Sequence, residues 1–288
     1  MTSTALDVGL CLVLVSAAAV SLATVGQPTG SAPTDSAAPS SRSPGHAADA
    51  ARTLGTVTAT VNYDLSAGAS CPASPECERH TTGSLAELLA AATMRNATID
   101  GRRLSPIDGE FGRTVRRRVV AATPPRTQVV ARWRPYPGSH VRATLRVGPS
   151  PPPEASVSAA TLSVPSGVDR VDSMKDVPAA LVNGLFPPAR LRLALTGDAP
   201  SSTLATTRYR RAGGLYGVEL DDAVETADTE TANDRLVETV AERVAADASD
   251  RDIDKAELRL SVVRITVRTW GPSPTAGAES GGSGGAGT

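Results

Sequence analysis

Thr127–Arg134, TQVVARWR, followed after the turn Pro135–Ser139 by Val141–Val147, VRATLRV, decides the fold class. In the second run Val141, Ala143, Leu145 and Val147 alternate with Arg142, Thr144 and Arg146. That period of two is the mark of a strand with one face in a core and the other in water. The connecting Pro-Tyr-Pro-Gly-Ser is longer than a two-residue turn and has room for a bulge. The pair reads as a β-hairpin, and a hairpin means antiparallel pairing.

Towards the N-terminus, Ile107, Phe111, Val115 and Val119 recur at every fourth residue. They predict a helix that Pro124-Pro125 ends, with Arg113, Arg116, Arg117 and Arg118 over much of its remaining surface. Ser84 with Glu87 three residues on is a capping-box signal for a helix running to about Met94. Thr56–Leu65 alternates as a half-buried strand. Towards the C-terminus, the Pro-rich stretch near 148–155 is a candidate subdomain break. Ser156–Val164 reads as a strand and Met174–Leu185 as a helix stopped by Pro187-Pro188. Ala189–Leu195 fits helix or strand. Leu204–Tyr216 is weakly helical, with Gly213-Gly214 marking its end or a kink. Leu236, Val240, Val244 and Ala248 stack at intervals of four in a firm helix from Ala232. In Leu258–Trp270 the alternation changes phase, which predicts a β-bulge near Val262. Together these elements predict an α+β domain over residues 53–270, an antiparallel sheet with packed helices.

The ends are of a different character. Val8–Val25 has no charged residue and, at about 1.5 Å per residue, would span about 27 Å as a helix. Residues 1–26 therefore read as a transmembrane anchor, with a cleaved signal or a buried helix as the other readings. Met1–Asp7 contains no Lys or Arg, so the basic start of a secretory signal is missing. Residues 27–52, rich in Pro, Ser, Ala and Gly, read as a linker, and 271–288 as a disordered tail. On the anchor reading the protein sits in the cell membrane as a single-pass protein with the bulk of the chain extracellular.

A net charge of −1 favours neither nucleic acid nor an acidic partner, but the charge is unevenly placed. Twelve Arg lie between Arg95 and Arg146, and fourteen acids between Glu219 and Glu257. Such blocks face solvent, pair within the molecule, or join copies head to tail. Cys71 and Cys77 flank a turn-rich segment and are candidates for a small disulfide loop, with free thiols or a metal site including His80 as the alternatives. Asn96-Ala97-Thr98 is a glycosylation sequon.

Motifs for chemistry are missing. The three His (His46, His80 and His140) form no H-E-x-x-H pattern, and there is no Walker loop, dinucleotide fingerprint or G-x-S-x-G. No catalytic residue, metal or cofactor is expected. Ser3–Val8 leading into the apolar run, Leu185-Phe186-Pro187-Pro188-Ala189, Arg208-Tyr209-Arg210-Arg211 and Val263–Trp270 together resemble a group of uncharacterised haloarchaeal membrane-anchored proteins associated with pilus-like secretion gene clusters. That resemblance implies an accessory component of such an assembly and carries over no catalytic residues. The expectation is a membrane-anchored protein that works by protein–protein contact, self-contact included, and not on nucleic acid. The expected contact surfaces are Arg113, Arg116, Arg117 and Arg118, the acidic segment, and a sheet edge near Trp133 and Trp270. An anchored extracellular ligand-binding module and an anchored hydrolase are the rival readings.

Overall fold

The computed structural model describes residues 45–64, 78–105, 109–249, 251 and 253–271. The apolar run 8–25, both cysteines of the candidate disulfide and the tail from 272 lie outside the described residues. Among those described, no helix is long and apolar enough to cross a membrane.

The fold is α+β. Helix α1 (Gly45–Thr56) leads into an antiparallel ribbon of β1 (Thr58–Asp64) and β2 (Glu78–Ser84). Helix α2 (Leu85–Arg95) starts at the expected capping box: Ser84 Oγ accepts from the Glu87 N–H, and the Glu87 carboxylate accepts from the Ser84 N–H. After the short strands β3 (Thr98–Ile99) and β4 (Arg102–Arg103) comes α3 (Glu110–Ala122), which buries Phe111, Val115 and Val119. The hairpin β5 (Thr127–Trp133) and β6 (Val141–Val147) follows, with Val129 opposite Val147 and Trp133 opposite Ala143. Gly148 ends β6 at φ +81°, where a Cβ would lie 2.2 Å from the Thr127 carbonyl oxygen, so no other residue fits.

Strand β7 (Val157–Pro165) precedes a run of helices: α4 (Val177–Leu185), α5 (Pro188–Thr196), α6 (Ser201–Tyr216), α7 (Asp221–Glu225) and α8 (Thr229–Ala248). The last strand, β8 (Val262–Trp270), inserts between β5 and β7 and completes a six-stranded antiparallel sheet of order β4-β3-β6-β5-β8-β7. The Pro-rich stretch between β6 and β7 thus joins two strands of one sheet. One apolar cluster runs from Leu54 in α1 through Leu88, Val115, Ala131, Leu145 and Ile265 to Leu236 in α8.

Several local expectations need correction. Residues 45–52, assigned to the linker by composition, belong to α1, whose Ala47, Ala50, Ala51 and Leu54 are buried. Of the two readings open for Ala189–Leu195, helix and strand, the structure takes helix. The Gly213-Gly214 pair does not end α6, which runs on to a left-handed cap at Gly217. A Cβ at Gly213 would stand 2.5 Å from the Val218 carbonyl oxygen, so that glycine lets the returning chain approach. There is no bulge near Val262. Leu258 and Leu260 precede the strand in a turn closed by Val262 N–H to the Arg259 oxygen, and β8 then pairs without interruption.

Candidate interaction surface

The two faces of the large sheet are chemically opposed. On the inner face Ala131, Trp133, Val141, Ala143, Leu145, Val263, Ile265 and Val267 are buried beneath α1 and α2. The outer positions of the same strands carry Arg132, Arg142, Arg146, Arg264 and Arg268. Strands β3 to β8 contain no Asp or Glu at all. Arg132 on β5 stands directly opposite Arg264 on β8. Like charges placed opposite each other on a sheet are destabilising. Among the described residues, none of these five arginines forms an ion pair.

At one end of the face, Arg132, Arg134, Arg259 and Arg264 line a groove of about 390 Å³ with Tyr136 and Ser163. Its one acid among the lining residues, Glu257, already accepts the Asp254 N–H. At the other end a cleft of about 290 Å³ between α3 and the sheet is lined by Arg103, Arg116 and Arg142. Arg116, singled out from sequence, thereby joins the helix to the basic sheet face. Arg113, Arg117 and Arg118 are exposed on α3, and Arg117 donates to Thr114 Oγ1 at 2.9 Å.

Other sequence candidates fall elsewhere. Trp133 is not a surface residue: it is 1 % exposed, and its indole N–H donates to the Leu260 oxygen at 2.7 Å. An inward position on a central strand buries it whatever its ring prefers at interfaces. Trp270 is half-buried at the end of β8, opposite Val157. The Asn96 side-chain amide donates to the Ala92 oxygen at the end of α2, so a glycan there would have to displace that bond.

The acidic segment resolves into paired and unpaired groups. Asp221 pairs with Arg210, Asp222 with Arg235, and Asp228 caps α8 through the Thr231 N–H. Of the exposed acids without an ion-pair partner among the described residues, Glu230, Asp234, Glu238 and Glu242 recur at intervals of four along α8. They form one acidic stripe about 18 Å long.

No pattern in the sequence links His140 with Asp247, yet the fold joins them. The His140 ring Nδ1 lies 2.6 Å from Asp247 Oδ2, which also accepts from the His140 N–H and the Tyr136 hydroxyl, each at 2.9 Å. His140 Nε2 meets the Tyr216 hydroxyl at 3.1 Å. Burial would push the Asp247 carboxyl up. The hydrogen bonds from His140 and Tyr136 outweigh it and hold the group below the usual carboxylate range. Both ring nitrogens of this buried imidazole are engaged, and the cluster fastens the hairpin tip to α8 and α6. Among the described residues there is no group of three or more side chains fit to hold a metal ion.

The model of a family of unknown function, DUF7284, matches residues 6–270. The chain belongs to this family. The match to DUF7284 takes in every described element from α1 to β8 and extends into the N-terminal apolar run. Comparison with curated proteins and with solved structures gives no match.

Proposed function

We propose that this DUF7284 protein is a non-catalytic contact module, held in the cell membrane by residues 8–25 with its folded part outside the cell. In this reading it serves as an accessory component of a pilus-like or secretion assembly. One observation carries the proposal: strands free of Asp and Glu whose outer face bears arginines without ion pairs among the described residues, in a chain whose α8 bears an acidic stripe likewise without ion pairs among them. Charge is expensive to concentrate without a use, because each fixed cation repels its neighbours. The stripe of one copy complements the arginine face of the next, and such a heterologous contact repeats head to tail. The rarity of aromatic residues, at 3 % of the chain, favours a protein partner over stacked nucleotides. The resemblance to membrane-anchored proteins of pilus-like clusters supports the same setting.

The test is a charge swap in the full-length protein. Self-association measured by sedimentation at low salt should weaken at high salt. It should be lost in Arg132→Glu/Arg264→Glu and in Asp234→Lys/Glu238→Lys, and return when the two variants are mixed. Association unchanged in both variants would overturn the head-to-tail contact. The tether is checked separately, by protease shaving of intact cells with a tag placed after Trp270. The expected result is loss of the tag while an N-terminal fragment stays in carbonate-washed membrane.

A further inference from the structure

A cavity of about 310 Å³ opens where α2, α3, α5 and α6 meet the end of β1. Small-molecule sites start at about this size, about 300 Å³. Its apolar lining includes Ala92, Phe111, Leu191 and Leu204. Four arginines from four helices also line it: Arg95 from α2, Arg116 from α3, Arg190 from α5 and Arg208 from α6. Asp64 is the one acid among the lining residues.

Two of these cations, Arg95 and Arg208, are held in place. Arg95 lies against two rings, its guanidinium carbon 3.8 Å from the Phe111 centroid and 4.9 Å from that of Tyr63, and it donates to the Tyr63 hydroxyl. Arg208 is more deeply set. Its Nη2 donates to the Leu185 oxygen at 2.7 Å and its guanidinium carbon lies 5.2 Å from the Phe186 centroid, while its Nε is buried with no hydrogen-bond partner. Burial pushes the Arg208 guanidinium down to about 10, the Tyr209 hydroxyl opposes that, and the nearby charge of Arg95 adds to it. Among the described residues, none of the four arginines forms an ion pair. A buried guanidinium without a counter-ion is costly, and an anion bound in the cavity would supply the missing charge.

We propose that this cavity binds a small amphiphilic anion, with a carboxylate or phosphate head held by Arg208 and Arg95 and a short apolar body against Phe111 and Leu204. Guanidinium groups suit either head, because their planar donors match two oxygens at once. The site is separate from the outer arginine face and stands whether or not copies of the chain associate.

Calorimetry and thermal unfolding of the full-length protein in neutral detergent test it, with hexanoate, hexyl phosphate, hexanol and inorganic phosphate as probes. One or both hexyl anions should bind saturably at one site and raise the unfolding midpoint, and the stronger of the two identifies the head group. Hexanol, with the same chain and no charge, should do neither, and inorganic phosphate should bind at least about tenfold more weakly than hexyl phosphate. Arg208→Met should abolish binding. Arg190→Glu, an exposed site on α5, should weaken it about tenfold without moving the midpoint of the unliganded protein. Hexanol matching the anions, no saturation by either anion, or undiminished affinity in Arg190→Glu would each overturn the proposal, whether or not Arg208→Met folds.

Discussion

The inner and outer faces of the six-stranded sheet are built from the same strands, one residue apart, and they do opposite work. Inner residues such as Ala131, Leu145 and Ile265 are fixed by neighbours on every side and are 0–1 % exposed. Outer residues such as Arg132, Arg146 and Arg264 are exposed and without ion pairs among the described residues, and Arg132 and Arg264 stand opposite each other as like charges. Stability is therefore concentrated on one side of the sheet and availability for contact on the other. Substitutions one position apart should behave as if they belonged to different proteins.

The largest effect should come from Trp133→Ala on the inner face. It removes a fully buried ring and leaves the Leu260 oxygen without the indole donor, costing about 3–5 kcal/mol in urea denaturation. Next is Asp247→Ala, which strips three hydrogen bonds from the hairpin tip and should cost about 3 kcal/mol. Because the Asp247 carboxyl is held below its usual value, its contribution is fully present above the unfolded carboxylate pKa of about 4 and is lost as pH falls through the folded value. The stability gap between wild type and Asp247→Asn should accordingly stay constant near neutrality and narrow only in acid. A gap that instead shrinks on the alkaline side would contradict the assigned linkage.

Smaller effects sharpen the contrast. Ser84→Ala should cost about 1 kcal/mol by removing half of the capping box of α2. Smallest is Arg264→Thr on the outer face, which should leave stability within about 0.5 kcal/mol or raise it slightly by separating Arg132 from a like charge. A loss of several kcal/mol there would mean that the arginine face is structural, and the comparison of the two faces would fail.

What was legible in the sequence follows from contrast between neighbouring residues. The capping box at Ser84, the Phe111–Val115–Val119 row and the alternation of β6 each set large apolar groups against polar ones, and each lies where the pattern puts it. Helix α1 hides because its buried face is Ala47, Ala50 and Ala51, which differ little from the Ala, Gly and Ser around them. Strand β2, ERHTTGS, has no apolar residue and is a strand by virtue of pairing with β1. The phase change near Val262 was real, but a turn before the strand produces it. The arginine face was half visible, since Arg142 and Arg146 were read as outward. Its continuity needed the strand order, because Arg132 and Arg264 are neighbours only once β8 lies beside β5. The cavity was invisible for the same reason: its four arginines come from helices far apart in sequence.

That strand order also sets a timetable. Strand β8 is the last of the described elements and occupies an interior place, between β5 and β7. Neither β5 nor β7 can find its neighbour on that side until Trp270 has left the ribosome. Pairings of such long sequence separation form slowly, because the loop they close must first be ordered. In a chain synthesised from its N-terminus, β5 and β7 therefore stay apart, and the sheet in two pieces, until β8 has emerged to join them.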